Sequence, residues 1–409
     1  MRFDPHGVSR TEVENSPTVS PYSLATRIAR QFEARFDHPP QWLAAAPGRV
    51  NLIGEHTDYN DGLVFPMAIE RCTVIAAASN GTSQIKLEST ATHGTATLDL
   101  GLPIQRGEPM WSNYPRGVIA GFQRLGIEIT GFNALIDSTI PLGGGLSSSA
   151  ALEIAMATLL EGITGHTLDL VQKALLCQQA EEEFAGVPCG IMDQFTSVMA
   201  EENHLLLLDC RSLKTEMVPW SDPSLAVLII NTNVRHELSG GEYATRRDQC
   251  ETAARALNVS SLRDATLAQL EAARGQLDSV VFRRARHVIT EIQRPGETAQ
   301  AMRAGRWDRV GELMYASHAS LRDDFEVSCP ELDLVVELAY GLGERFGVIG
   351  CRMTGGGFGG CAVSVVRTDA VSDISRMLAE EYRAKIGLEP TLFVSRPAVG
   401  TRLLKLIPQ

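Results

Sequence analysis

The chain has 409 residues, 44% of them hydrophobic, and a formal net charge of -12. That length accommodates two or three domains with ample core, and the acidic balance excludes a nucleic-acid partner, which demands a basic surface. The eight cysteines form no CxxC pair and no Cys/His set with zinc spacing, and no apolar run approaches a membrane span; the expectation is a reduced, cytoplasmic protein without a membrane partner.

Met1 to Ser20 is polar, lacks the apolar stretch of a signal peptide and reads as a disordered leader. Leu24, Ile28, Phe32 and Phe36 then recur at helical spacing, and Pro39-Pro40 ends that helix. Strands are expected at Trp42 to Ala45 and Cys72 to Ser79, with Asn80-Gly81 as a hairpin turn before alternating Ile85 and Leu87. A helix over Trp111 to Leu125 precedes a strand over Phe132 to Ile140, and helices follow over roughly 147–162, 168–185 and 191–200. His204 to Cys210 and Leu225 to Asn231 read as strands on either side of the Ser221-Asp222-Pro223 turn, where we place a boundary between domains 21–222 and 223–409. The second half is mostly helical from Glu242 to Phe346 and closes with strands near Cys361 to Val366 and Thr391 to Ser395, separated by a helix. Strands and helices come in mixed order, without regular βαβα alternation, so the fold class is α+β.

Three segments carry chemistry. Ala46 to Tyr59 packs one arginine, two carboxylates and a histidine between Arg49 and Asp58, and Gly48 and Gly54 break the run, so it presents polar groups into a cleft. Pro141 to Ala150 places Gly143, Gly144, Gly145 and Leu146 before Ser147, Ser148 and Ser149, between a strand and an apolar helix. Glycines let the backbone approach a ligand, and free N–H groups of the first helical turn make an anion site. Taken alone, the same loop also reads as a glycine linker with a serine cap. It is neither a Walker A loop nor GxGxxG. Asp193 falls in the first turn of a helix re-entered after Gly186 and Pro188, where the dipole favours a charged carboxylate. By itself it reads equally as a capping residue, and Glu181 as one solvated Glu among three.

Together these segments resemble the GHMP kinase superfamily and, within it, the galactokinase family. Gly48 to Gly62 is similar to the galactokinase signature, the Gly-Gly-Gly-Leu-Ser-Ser-Ser loop to the superfamily phosphate loop, and Thr354 to Gly360 to its third glycine-rich motif. Pro188 to Phe195, Trp111 to Tyr114, Glu242 to Arg247 and Arg283 to Val288 are similar to further galactokinase segments, so the resemblance runs from about residue 22 to the C-terminus.

The resemblance implies a two-domain fold with the active site in the cleft, and ATP-dependent phosphorylation of the anomeric hydroxyl of galactose. It implies that Glu55, His56, Thr57 and Asp58 hold the sugar, with Gly190 and Tyr243 completing its pocket. Trp111 and Tyr114 would line the adenine site, residues 143–149 would wrap the phosphates, and Ser149 and Glu181 would hold Mg2+. Asp193 would be the base and Arg49 its partner. The arginines at 246, 247, 283, 284 and 286 read instead as structural ion pairs. Alternatives within the class are N-acetylgalactosamine or arabinose as acceptor, or a non-sugar alcohol. In another class stands a non-catalytic sugar-sensing regulator, against which the intact Asp193 and phosphate loop argue. A monomer is expected.

Overall fold

The computed structural model describes residues 21–92, 94–235 and 239–405; the expected leader lies outside the described residues. Among the described residues thirteen strands run in chain order as β1 (Trp42–Asn51), β2 (Leu63–Val64), β3 (Pro66–Ser79), β4 (Gln84–Ser89), β5 (Thr95–Asp99), β6 (Phe132–Ser138), β7 (His204–Asp209), β8 (Lys214–Pro219), β9 (Leu225–Arg235), β10 (Val348–Thr354), β11 (Gly359–Arg367), β12 (Thr391–Ser395) and β13 (Arg402–Leu403). They build a six-stranded sheet in the order β13-β1-β3-β6-β4-β5, a four-stranded sheet β10-β11-β9-β12 and a three-stranded sheet β2-β7-β8. Only the β4–β6 pairing is parallel among the described residues. The α+β expectation holds.

The helices that matter for the site are α1 (Pro21–Phe36), α2 (Asn113–Arg124), α3 (Ser148–Thr164), α4 (Leu170–Ala180) and α5 (Met192–Met199) in the first half. In the second half they are α6 (Ser239–Ala256), α7 (Leu267–Ala272), α8 (Ser279–Glu291), α9 (Arg294–Arg303), α10 (Trp307–Ser320), α11 (Pro330–Leu342) and α12 (Val371–Ile386). Leu24, Ile28 and Phe32 of α1 pack with Val74 and Ala76 on one face of the six-stranded sheet. Ile75, Ala77 and Ile136 face the other way, onto α2 to α5. This is the period-two alternation of a strand covered on both sides. In the second sheet Leu228 and Ile230 meet α6, α8 and α11, while Val227 and Ile229 join a core shared with Val50, Leu52, Ile53 and Phe65 of the first half. That shared core welds the signature segment to the second half of the chain.

Asn80-Gly81 does not make a hairpin. β3 pairs with β6, β4 pairs with β5, and β6 lies between β3 and β4. The Asn80 side chain instead accepts from Thr82 N and donates to Gln84 O and Asn133 Oδ1, closing a local turn that feeds a crossover. β8 fills the stretch between the two strands expected around residue 222, and β13 returns the end of the chain to β1. β8 alternates poorly: five of its six residues are not buried.

Candidate active site

A cavity of about 540 Å3 is lined by the signature segment, both glycine-rich loops and the turn before α5. It is large enough for a small ligand. β1 brings Arg49 to it. The β1–β3 register slips between Pro47 and Arg49, and at that slip the Arg49 N–H donates to Leu146 O of the phosphate loop. A Cβ on Gly48 would stand 2.6 Å from the same carbonyl, so only glycine permits the contact.

Arg49 is buried, and its guanidinium donates from Nε to Asp193 Oδ1 and from Nη2 to Asp193 Oδ2, both at 2.7 Å, and from Nη1 to Gly145 O at 2.7 Å. This is the planar fork that a lysine cannot reproduce. Burial opposes its charge, yet Asp193, Glu55 and Asp58 together hold Arg49 above the usual arginine range. Asp193 lies in the first turn of α5, as its sequence context implied. Its Oδ2 also accepts from Ser147 Oγ. Ser147 is the residue before α3 and has a left-handed backbone (φ 60°), which aims its hydroxyl at Asp193. The hydroxyl thus serves the carboxylate.

Ser148 and Ser149 open α3, so their amides and that of Ala150 have no intrahelical acceptor and face the cavity end of a 17-residue helix. Gly143, Gly145 and Leu146 line the cavity; Gly144 does not and lies beside Asn231 and Cys361. Glu181 begins a π-helical turn, Glu181–Ala185, ended at Gly186 with φ 75°. Its carboxyl is buried, shares a hydrogen bond with Ser149, and is pushed up to about 7 by desolvation, with the Asp193 charge adding to it.

The signature residues divide into two groups. Asp58 faces the cavity, and burial together with the charge of Asp193 pushes its carboxyl up to about 6. Its Oδ2 would lie 1.7 Å from a Cβ on Gly190, so Gly190 is there to make room for Asp58. The other three hold the loops. Thr57 is fully buried, is not among the residues lining this cavity, and shares its one hydroxyl hydrogen between Gly54 O and Leu63 O. His56 reaches the cavity wall, but Nε2 donates to Gly356 O at 3.3 Å and Nδ1 accepts from Tyr59 OH at 2.8 Å. The carbonyl can only accept, which fixes this tautomer. Burial, with repulsion from His287, lowers His56 to about 3 and keeps it neutral. Glu55 lines the cavity; its Oε1 accepts from Gly355 N, Thr354 Oγ1 and Arg352 Nη1, and its Oε2 accepts from Asn51 Nδ2 and has a lone pair to spare. In the unliganded chain the Thr57 hydroxyl and both nitrogens of His56 bond within the protein.

Tyr243 lines the cavity and stacks near His56 and Tyr59, its phenol kept neutral by burial and nearby carboxylates. Trp111 and Tyr114 are not among the lining residues. Trp111 packs against the core around α2, with its indole N–H buried and without an acceptor. The basic clusters are structural. Arg246 binds Phe325 O, Glu326 O and Glu242, Arg284 and Arg283 bind Glu326, and Arg286 binds Asp324.

Two supporting residues come from α8, His287 inside the Arg283 to Val288 segment and Glu291 outside any motif. His287 Nε2 donates to Glu55 O, and Glu291, one turn on along α8, accepts from Gly54 N at 2.9 Å and Ser317 Oγ at 2.6 Å. The i, i+4 spacing puts both on one face of α8, but nothing in that spacing names the loop they serve.

Three family models match the chain. The galactokinase galactose-binding signature covers residues 30–79, the GHMP kinases N terminal domain 113–201 and the GHMP kinases C terminal 298–384. A galactokinase from Homo sapiens is 47% identical over 390 residues, 94% of this chain and 97% of the relative. The chain belongs to the galactokinase family. A Bos taurus galactokinase is 46% identical over 388 residues, 93% of this chain and 97% of that one. The crystal structure of Lactococcus lactis galactokinase complexed with galactose superposes with a TM-score of 0.88 at 34% identity, covering 93% of this chain and 99% of that one. A mevalonate kinase structure shares the fold, with a TM-score of 0.61 at 20% identity. This galactokinase-family chain is therefore an enzyme of the GHMP kinase fold, and ATP is its co-substrate. No helix among the described residues is long and apolar enough to cross a membrane.

Proposed function

We propose that the Arg49–Asp193 pair and Asp58 form the reacting end of the site, where the enzyme transfers the γ-phosphoryl group of ATP to the anomeric hydroxyl of galactose. The observation that carries this assignment of roles is the juxtaposition of Asp193, fixed by three donors, with Asp58 across one cavity from the free amides of α3. Asp58 and the spare lone pair of Glu55 Oε2 accept from sugar hydroxyls, and Tyr243 forms the wall. Asp193 aligns the anomeric O–H and takes its proton as the O–P bond forms and the bond to the leaving ADP breaks. Because the transition state is loose, alignment and charge neutralisation supply most of the rate, and Arg49 contributes to both. The amides of Ser148, Ser149 and Ala150 hold phosphate oxygens. We place the adenine at Trp111 and Tyr114, beside the α2 face that packs on the Glu181–Ala185 turn.

Ser149 and Glu181 offer hard oxygen ligands side by side at the cavity wall, and a carboxyl pushed up to about 7 is one that a cation would return to its charged form. Two protein ligands fit Mg2+, which keeps waters and phosphate oxygens in its shell; when bound it would neutralise phosphate charge. In this reading the chain divides into 21–222 and 223–409, and acts as a cytoplasmic monomer.

ATP turnover with galactose, glucose, N-acetylgalactosamine and arabinose tests the pocket, galactose and glucose differing at one hydroxyl. A strong galactose preference is expected, because a misplaced hydroxyl leaves a buried carboxylate unpaired. Equal turnover of galactose and glucose would overturn the role given to Asp58. Binding of galactose and ATP without ADP release would move the chain to the sugar-sensing class.

A further inference from the structure

Behind Glu181, away from the cavity, lies a second buried carboxyl that the reaction does not use. Glu153 of α3 and Gln194 of α5 are both completely buried. Gln194 Nε2 donates to Glu181 Oε2 at 2.7 Å and to Glu153 Oε2 at 3.1 Å, spending both of its hydrogens. The remaining oxygens, Glu153 Oε1 and Gln194 Oε1, are each buried without a partner. Two acceptors stand orphaned on side chains already joined to each other, at a cost for each. Flipping the amide does not help, because its oxygen would then face two carboxylates. The charged groups acting on Glu153 are the carboxylates Glu181 and Asp193, while Lys173 is taken up by Glu161 at 2.6 Å. Among the described residues no cation balances a charge on Glu153.

One proton resolves both orphans. We propose that Glu153 is a neutral carboxylic acid whose Oε1–H donates to Gln194 Oε1, closing a cyclic acid–amide pair that locks the Gln194 amide and so positions the carboxylate of Glu181. Each oxygen and each N–H of the pair then has a partner. Burial, with the charges of Glu181 and Asp193, also drives the Glu153 carboxyl well above the usual carboxylate range. The Gln194 N–H left outside the ring points to Glu181, leaving that residue's cavity side to Ser149. Glu153 and Gln194 are thus positioning residues, and what they position is the candidate cation ligand; this part rests on the reading of Ser149 and Glu181 given above.

Infrared difference spectra of the unliganded full chain test the pair without any metal. At about pH 8, far above the ordinary carboxylate range, wild type minus Glu153→Gln should show the carbonyl band of an un-ionised carboxylic acid, and its absence would overturn the proposal. Glutamine at 153 can close an equivalent amide–amide ring, so Glu153→Gln should keep the Mg2+ concentration for half-maximal turnover within about 2-fold. Glu153→Leu cannot, and should raise that concentration about 10- to 100-fold, the usual range for an outer-shell partner, with galactose KM unchanged. Gln194→Met serves the same purpose where Leu at 153 does not fold. A Glu153→Gln loss as large as that of Glu153→Leu would mean that the charge matters, and would overturn the proposal. Glu181→Gln judges the metal reading separately: if it leaves the Mg2+ requirement unchanged, that reading and the positioning role fall together, while the infrared band still decides the acid–amide pair.

Discussion

Gly190→Ala isolates the role of Asp58 with a single methyl group. Gly190 has no positive φ, so the backbone accepts alanine, and the three atoms nearest the added methyl all belong to Asp58. The added Cβ would sit 1.7 Å from Asp58 Oδ2, 2.1 Å from Cγ and 2.8 Å from Oδ1. Relief to ordinary contact requires the carboxylate to move by about 2 Å, more than a hydrogen bond tolerates. A hydrogen bond to a charged acceptor is worth about 1.5–3 kcal/mol, so kcat/KM for galactose should fall roughly 10- to 150-fold. With the nucleotide at the helix end of the cavity, as proposed, the KM for ATP should change less than about 2-fold. Coupled measurement of ADP release over a galactose series and over an ATP series gives the two numbers, and a melting curve checks that the variant folds. Unchanged kcat/KM for galactose would show that Asp58 does not touch the sugar. A loss spread equally over both substrates would show that the substitution disturbs the cleft as a whole.

Asp193→Asn should lower kcat by about 10²–10⁴-fold, with near-normal turnover showing that Asp193 only orients the sugar. Arg49→Lys should also reduce kcat, because a point charge cannot hold both Asp193 oxygens and Gly145 O at once; unchanged kinetics for Arg49→Ala would remove the residue from the mechanism. Unliganded stability should carry a component from Asp58 with a definite sign. Its folded value, about 6, lies above the unfolded value near 4, so the native state holds the proton longer. That component is present below about pH 4 and is lost as pH rises through about 6; denaturant titrations of wild type and Asp58→Asn should converge in slope once it is removed. Glu291→Ala should cost about 3–5 kcal/mol in chemical denaturation, because it strips the partner from part-buried Arg294 and leaves the Gly54 N–H unpaired in the interior; a loss below about 1 kcal/mol would refute the clamp on the signature loop.

The strands and helices with clear periodicity were legible from the chain alone, as were the residues that glycine punctuation sets apart. Arg49, Asp58, Asp193, Ser149 and Glu181 meet at one cavity, as the resemblance implied. Adjacency alone does not say where a side chain turns. His56 and Thr57 sit beside Asp58 in sequence, yet their polar atoms turn inward to hold the loop, and Asn80-Gly81 looks like a hairpin although β6 claims the edge of β3.

Local patterns depend on neighbours within a few positions, and those the sequence states directly: where the backbone must bend, where an anion can sit, which faces are apolar. Which hydrogen-bonding groups remain free depends on partners tens to hundreds of residues away. Glu55 meets Thr354 and Gly355, Gly54 meets Glu291, and Gln194 links Glu153 to Glu181 only after the helices have packed. Burial makes each of those pairings obligatory, since an unpaired polar group in the interior is costly, and burial is a property of the assembled chain.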